Sequence, residues 1–192
     1  MKQHLKTLAQ IVSVLLMLPF TLFFLLYSVP AGRDEAISTM SQLLSLLPGK
    51  LGSYLRAGFY RFALKKCHPS VVIGFGTIFS QADTEISENV YIGPQCNIGL
   101  CRIGKDTLLG SAVHIMSGKG QHNFDDPTLA IKDQGGTFEK VSIGNNCWLG
   151  NGALVMANVE ERCVIAAGSV VIQDTNGNSI FAGNPAKKIK DI

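Results

Sequence analysis

Between about residue 73 and residue 171 the chain repeats a six-residue word: an aliphatic residue, a small residue (usually Gly), two polar residues, a small residue and any residue. Ile86, Ile92 and Ile98 begin one series, Ile103, Leu109 and Ile115 a second, Ile143, Leu149 and Val155 a third. A fixed short period in a β-rich segment marks a solenoid. A lone strand alternates with period two, so a period of six predicts a coil of three short strands, each turning one aliphatic side chain inward. The fifth position must then also fit near the axis. It holds Thr77, Val90, Cys96, Thr107, Val113, Cys147, Ala153, Val159 and Ser169, all small or β-branched. The second position holds Gly74, Gly93, Gly99, Gly104, Gly110, Gly144 and Gly150, as a tight corner with unusual backbone angles would require. A Gly-rich β-sandwich leaves this joint periodicity unexplained. Two steps are short. Ile98 to Ile103 is a five-residue step, and Val155 to Ile165 covers ten residues where two words need twelve, which predicts a tightened coil around residues 158–162.

Ahead of the repeat the pattern changes. Residues 8–30 carry no charge and are long enough to cross a bilayer as a helix. They account for a hydrophobic share of 46% against a charged share of 16%. A membrane anchor is one reading and a cleaved signal peptide the other, the apolar stretch being longer than a usual signal core. Lys2 and Lys6 precede it, which orients the N-terminus to the cytoplasm. A simple crossing would then put the repeat outside, so Pro19 predicts a bend and a return to the same side. Residues 50–68 mix Lys50, Arg56, Arg61, Lys65 and Lys66 with Leu51, Tyr54, Leu55, Phe59, Tyr60 and Phe62. That mixture reads as a basic amphipathic helix on an anionic membrane surface, as a cap on the open end of the solenoid, or as both. The chain thus divides into residues 1–34 (hydrophobic membrane segment, re-entrant or spanning), 35–70 (interfacial or capping helices) and 71–192 (the β-helix). A net charge of +3 gives no nucleic-acid footprint. Five cysteines, three of them at inward positions and none in a CxxC pair, suggest small buried hydrophobes, a reducing compartment and no zinc.

The words stop at Ile115 and resume at Val141, leaving a long irregular loop over residues 116–142. Such an insertion in a compact repeat is usually functional. It holds His122, and imidazole is the side chain whose ordinary pKa suits a general base near neutral pH. A lone loop histidine is otherwise ordinary surface. His114, at an outward position, is a second candidate for lining a site. Asp125 and Asp126 either orient the imidazole or bind a substrate, or are solvated loop carboxylates.

Together with the stretches Ile143-Gly-Asn-Asn-Cys-Trp-Leu-Gly150, Ala166-Ala-Gly-Ser-Val-Val171 and Ala182-Gly-Asn-Pro-Ala-Lys187, the repeat resembles the hexapeptide-repeat acyltransferases, in their sugar O-acetyltransferase branch. The resemblance covers roughly residues 71–192. It implies an all-β, left-handed parallel β-helix, a homotrimer, acetyl-CoA as co-substrate and a sugar or glycan hydroxyl as acceptor. In that family an extended loop presents the catalytic histidine to a neighbouring subunit and a Trp follows some two dozen residues later, as Trp148 follows His122. An Asn or Asp one or two coils earlier holds the acceptor, which Asn97 matches, with His114 and Asp125 beside it. By motif position Trp148 and Asn151 lie near the pantetheine and thioester, Ala167 and Ile172 further along, and Lys187 and Lys190 near the phosphates; a backbone N–H at Asn151 steadies the oxyanion. Transfer is then direct, with no acyl-enzyme. With the membrane segment, this implies the cytoplasmic face of a bacterial inner membrane and lipid as a further partner. Two alternatives stand beside this reading. A β-helix carbonic anhydrase needs three histidines on zinc, where the repeat region offers His114 and His122. A non-enzymatic scaffold would leave the loop histidine without a reason.

Overall fold

The structure is a computed structural model that describes residues 2–192, with side chains from His4 onward; the Lys2 side chain invoked above lies outside them. The repeat forms a parallel coil whose strands fall on three faces. Face A carries β1 (Lys66–Cys67), β4 (Glu85–Ile86), β7 (Cys101–Ile103) and β10 (Val141–Ile143). Face B carries β2 (Val72–Ile73), β5 (Tyr91–Ile92), β8 (Leu108–Leu109), β11 (Trp148–Leu149), β13 (Val164–Ile165) and β15 (Ser179–Gly183), closed by the antiparallel β16 (Ala186–Asp191). Face C carries β3 (Ile78–Phe79), β6 (Asn97–Ile98), β9 (His114–Ile115), β12 (Leu154–Val155) and β14 (Val170–Val171). This is the three-sided coil expected from the period, in the left-handed parallel β-helix that the resemblance implied. Aliphatic residues stack in columns down the axis; on face B the column is Ile73, Ile92, Leu109, Leu149, Ile165 and Phe181. The fifth-position residues are buried beside them.

Two expectations about the words are corrected. The second-position glycines do not supply unusual backbone angles. A Cβ on Gly74 would lie 2.4 Å from the Pro94 nitrogen, and one on Gly150 would lie 2.5 Å from the Ala167 nitrogen. Their role is to let one turn lie directly on the next. The left-handed backbone falls two residues later, at Asn89, Gln95, Asp106, Ala112, Asn146 and Arg162, with φ of 53–60°. Val159, in turn, is no fifth-position residue. It forms a parallel bridge with Ile143 and takes the inward place on face A. The tightened coil therefore reduces that strand to a single bridge.

Three helices close the first turn: α1 (Lys2–Ala31), α2 (Arg33–Ser45) and α3 (Gly49–Ala63). They satisfy the edge that β2 and β3 would otherwise present to water. Ser41 Oγ accepts from the Phe79 N–H (3.1 Å) and donates to its carbonyl (3.0 Å). Ser53 Oγ accepts from the Ile73 N–H, while Arg56 donates from Nε and Nη2 to the Ile73 carbonyl and from Nη1 to Leu44 and Leu47. Arg56 is fully buried. Of the two readings the sequence left open for residues 50–68, Arg56 follows the cap and not the membrane surface: it is an internal staple, because three converging carbonyls repay its desolvation. Nor does Pro19 turn the chain back. α1 runs unbroken through it. The ring removes one ladder hydrogen bond, but Ser13, Met17, Thr21 and Phe24 remain packed as one buried stripe and hold the helix together.

Candidate active site

The residues expected to hold an acceptor lie on face C. Asn97 and His114 are opposed on β6 and β9, both pointing outward and exposed. The five-residue step after Ile98 shortens only the turn into β7 and leaves this register intact. Two residues after His114 the loop departs. Its arms run antiparallel: Glu139 N–H donates to Ser117 O (2.9 Å), Thr137 to Gly120 (2.7 Å) and Asn123 to Gly135 (2.9 Å). Lys119 Nζ reaches the Ile172 carbonyl at 3.0 Å, tying the outgoing arm to face C. His122 sits on that arm, exposed, and its ring makes no hydrogen bond among the described residues. At the tip Asp126 accepts from both the N–H and the hydroxyl of Thr128, and Gln134 bridges to Asp126 and Leu129. The Thr128 bonds hold the Asp126 carboxyl below its ordinary pKa. Asp126 therefore shapes the loop, while Asp125 is exposed and free of such bonds.

The residues expected along a donor lie mostly on face B. Outward residues of successive strands form one row: Val72, Tyr91, Leu108, Trp148, Val164 and Ile180, ending at Lys190 on β16. Trp148 is 55% exposed. Three strand spacings separate it from Lys190, about 14 Å. Lys187, opposite Ala182, points to the same side. Asn151 occupies the corner between faces B and C. Its side chain is not free for a ligand, since Oδ1 accepts the Ser111 N–H at 2.9 Å and stitches one turn to the next. One turn on, the equivalent corner residue is Ala167, which has no oxygen to continue the stitch. The Asn151 N–H is thus left without an acceptor among the described residues.

The returning arm is anchored on face A. Lys140 Nζ lies 2.6 Å from Asp83 and 3.0 Å from Glu85, and Lys65 and Arg102 complete the cluster around Glu85. The Lys140 hydrogen bond is the chief cause holding the Glu85 carboxyl down at about 2. Burial has the opposite effect on the cysteines, pushing Cys147 up to about 11 and Cys67 and Cys101 to about 12. None is an activated nucleophile.

Within one chain these groups do not converge. Asn97 and His114 share face C, whereas Trp148, Lys187 and Lys190 share face B; Ala167 is at the corner between them, and Ile172 is at the loop base. The sequence reading missed the row flanking Trp148. Its signal was present in the residue just before each inward aliphatic on every third word. It also missed the exposed apolar loop residues Phe124, Leu129, Ile131 and Phe138.

Residues 140–173 match the family model described as the hexapeptide repeat of succinyl-transferase. WbbJ of Escherichia coli strain K12, provisionally assigned to O-acetyl transfer in lipopolysaccharide biosynthesis, is 33% identical over 124 residues, 61% of this chain and 62% of that one. The chain spans less than two thirds of the length of the curated relatives it matches. A maltose O-acetyltransferase from Clostridium difficile 630 superposes with a TM-score of 0.73 at 21% identity, over 84% of this chain and 87% of that one. The hexapeptide-repeat acetyltransferase VCA0836 of Vibrio cholerae O1 biovar eltor, solved with acetyl-CoA, gives 0.58 at 19% identity, over 82% and 87%. Residues 140–173 thus carry the hexapeptide repeat, and the chain has the left-handed β-helix fold. It resembles the hexapeptide-repeat acyltransferases in repeat sequence and shares its fold with sugar acetyltransferases.

Proposed function

We propose that the protein transfers an acetyl group from acetyl-CoA to a sugar hydroxyl of a glycan, nucleotide sugar or lipid-linked intermediate, as a homotrimer at the cytoplasmic face of a bacterial inner membrane. One observation carries this reading. The row from Trp148 to Lys190 runs beside an unpaired corner N–H, while the chain's extended loop holds an unpartnered imidazole elsewhere. Each half of a transferase site is present, and a second copy is what would join them. The apolar row of face B and the exposed apolar loop residues support self-association, since such surfaces seek a partner. The relative assigned to O-acetyl transfer and the neighbour solved with acetyl-CoA support the chemistry.

The roles follow from the side chains. The His122 imidazole takes the proton of the acceptor hydroxyl as its oxygen attacks the thioester carbonyl. The N–H of Asn151 stabilises the negative charge that develops on that carbonyl oxygen. As the tetrahedral species collapses, the C–S bond breaks and the imidazolium returns its proton to the departing thiolate. Asn97 and His114 hold the acceptor, with Asp125 reaching it from the loop. Trp148 covers the pantetheine and thioester, Ala167 and Ile172 border the arm, and Lys187 and Lys190 face the phosphates.

Titrating acetyl-CoA calorimetrically into wild type and His122→Ala, and following thiol release with a sugar acceptor, tests the assignment. The variant should bind donor with unchanged affinity and lose about 10²–10⁴-fold in turnover. Undiminished turnover overturns the role of His122. Absence of donor binding by the wild type overturns the transferase reading.

A further inference from the structure

α1 is an amphipathic helix turned inside out. Its polar residues Gln10, Ser13, Thr21 and Ser28 fall on the side that meets the protein. From Leu8 onward its outer side is apolar: Leu8, Ile11, Val12, Leu15, Leu16, Leu18, Leu22, Phe23, Leu25, Leu26 and Val29 are all 45% exposed or more. A helix belonging to a soluble core shows the reverse arrangement. The mean hydropathy of its most apolar window is 2.3, which suits a lipid environment.

How it meets that environment is decided by its inner side. Near one end the Gln10 amide donates to the Pro69 carbonyl at 2.6 Å, and Gly58 of α3 presses on the Ser13 backbone. Midway, Phe24 meets Phe59 of α3 edge to face at 5.8 Å. Just past the other end, Arg33 donates to the Ala63 carbonyl, and Asp34 accepts the Ala82 N–H at 2.8 Å. α1 is thus fastened side-on to α3, the helix that caps the first turn, from Gln10 to its C-terminus, roughly 30 Å of helix. That is the whole thickness of a bilayer's hydrocarbon core. A crossing would carry α3, which packs against this length of α1, into hydrocarbon alongside it.

We infer that α1 does not cross the membrane but lies in its plane, its outer face sunk into one leaflet and the capped end of the β-helix seated on the headgroups. Lys6, Lys50 and Arg61 line the grooves between α1, α3 and the Pro69 turn. None of the three has a carboxylate within ion-pair distance among the described residues, so all are available to lipid phosphates. The repeat and the N-terminus then remain on one side of the membrane, the side that supplies acyl-CoA. This inference rests on the membrane location offered above and not on the acetyl-transfer chemistry.

The test uses the full chain with vesicles of mixed zwitterionic and anionic phospholipid. Single cysteines at Leu8, Leu15, Leu22 and Leu26 would carry a fluorophore quenched by lipids labelled at graded depths; the five native cysteines are buried and stay silent. A common shallow depth at all four sites supports the in-plane seat. A profile deepest at Leu15 and Leu22 and shallower at Leu26 and Leu8 overturns it in favour of a crossing. Absence of quenching at every site overturns the membrane location itself, leaving acetyl transfer untouched. As a second measurement, the double variant Leu15→Glu, Leu22→Glu should lose at least tenfold in vesicle co-flotation while keeping its unfolding midpoint, because both side chains are already in solvent. Unchanged co-flotation of a folded variant overturns the seat.

Discussion

Asn97 and His114 stand directly opposite one another on neighbouring strands of face C, both pointing out, two residues before the loop that carries His122. Cross-strand partners hold their Cβ atoms about 5 Å apart, close enough for both to reach one ligand group. On the proposed function, substituting either with Ala should raise the KM for the sugar acceptor about tenfold, equivalent to one lost hydrogen bond, while the affinity for acetyl-CoA stays unchanged. The double variant should fall short of the product of the two, since neighbours couple. Steady-state kinetics with varied acceptor measures both; equal loss of donor affinity would move the pair out of the acceptor site.

Tyr91 and Leu108 lie in the outward row that leads to Trp148, each 42% exposed. If face B is the surface that a second copy covers, charge placed there must be desolvated without a partner on assembly. The double variant Tyr91→Glu, Leu108→Glu should therefore sediment as a monomer, fold normally and lose turnover. A sedimentation profile identical to wild type would mean that another surface joins the copies.

The coil was legible because its rule is local: each turn repeats the same inward column, as Ile92, Leu109 and Leu149 do, so spacing alone reveals it. The reason for its glycines was not. The sequence marks Gly150 as small but not what lies above it, and that neighbour, Ala167, belongs to the next turn. Arg56 stayed open between a membrane surface and a cap for a related reason. Its partners, the carbonyls of Leu44, Leu47 and Ile73, are backbone groups from three other segments, which no residue pattern records. His122 stood out in the sequence as the histidine of an interrupted repeat, and the structure places it on an exposed loop. Its pairing with Trp148 came from the family resemblance and not from the residue pattern, because within one chain the two lie on different parts of the fold.

The two kinds of glycine separate experimentally. Gly150→Ala drives a Cβ to 2.5 Å from the Ala167 nitrogen and 2.8 Å from its Cα, so two turns must part. The expected cost is about 3 kcal/mol, at the upper end of overpacking effects. Gly152→Ala meets no atom within 4 Å but must adopt φ near +68°, a strain of about 1–2 kcal/mol. Chemical denaturation of the two variants should rank them in that order, with Gly150→Ala also broadening the transition as the stack loosens.

Acid should release the loop before it unfolds the coil. Glu85 titrates at about 2 in the folded chain against an ordinary 4.5, chiefly because of Lys140, and Asp83 is lowered by the same lysine. A depressed carboxyl adds stability that is complete above its unfolded pKa and disappears as pH falls through the folded one. The contribution should therefore hold above about pH 4.5 and fade towards pH 2. Glu85→Gln should flatten that acid dependence, and limited proteolysis within residues 124–134 should accelerate at neutral pH in the variant. Equal acid profiles for the two proteins would mean that the cluster does not anchor the loop.

Arg56 offers the strongest single test of how the helices are joined to the solenoid. Its guanidinium answers the carbonyls of Leu44, Leu47 and Ile73, and the last is the exposed edge of β2. In Arg56→Leu the side chain packs but those acceptors stay buried and unanswered, at a cost of about 3–5 kcal/mol. For a chain of this size that lowers Tm by roughly 10 °C. Arg56→Lys keeps the charge but cannot span three carbonyls from one planar fork, so it should recover only part of the loss. The damage should begin at the cap: hydrogen exchange of the Ile73 and Phe79 amides would accelerate, while Leu149 and Ile165, deep in the stack, stay protected. Uniform acceleration along the coil would instead show that the cap and the solenoid unfold as one unit.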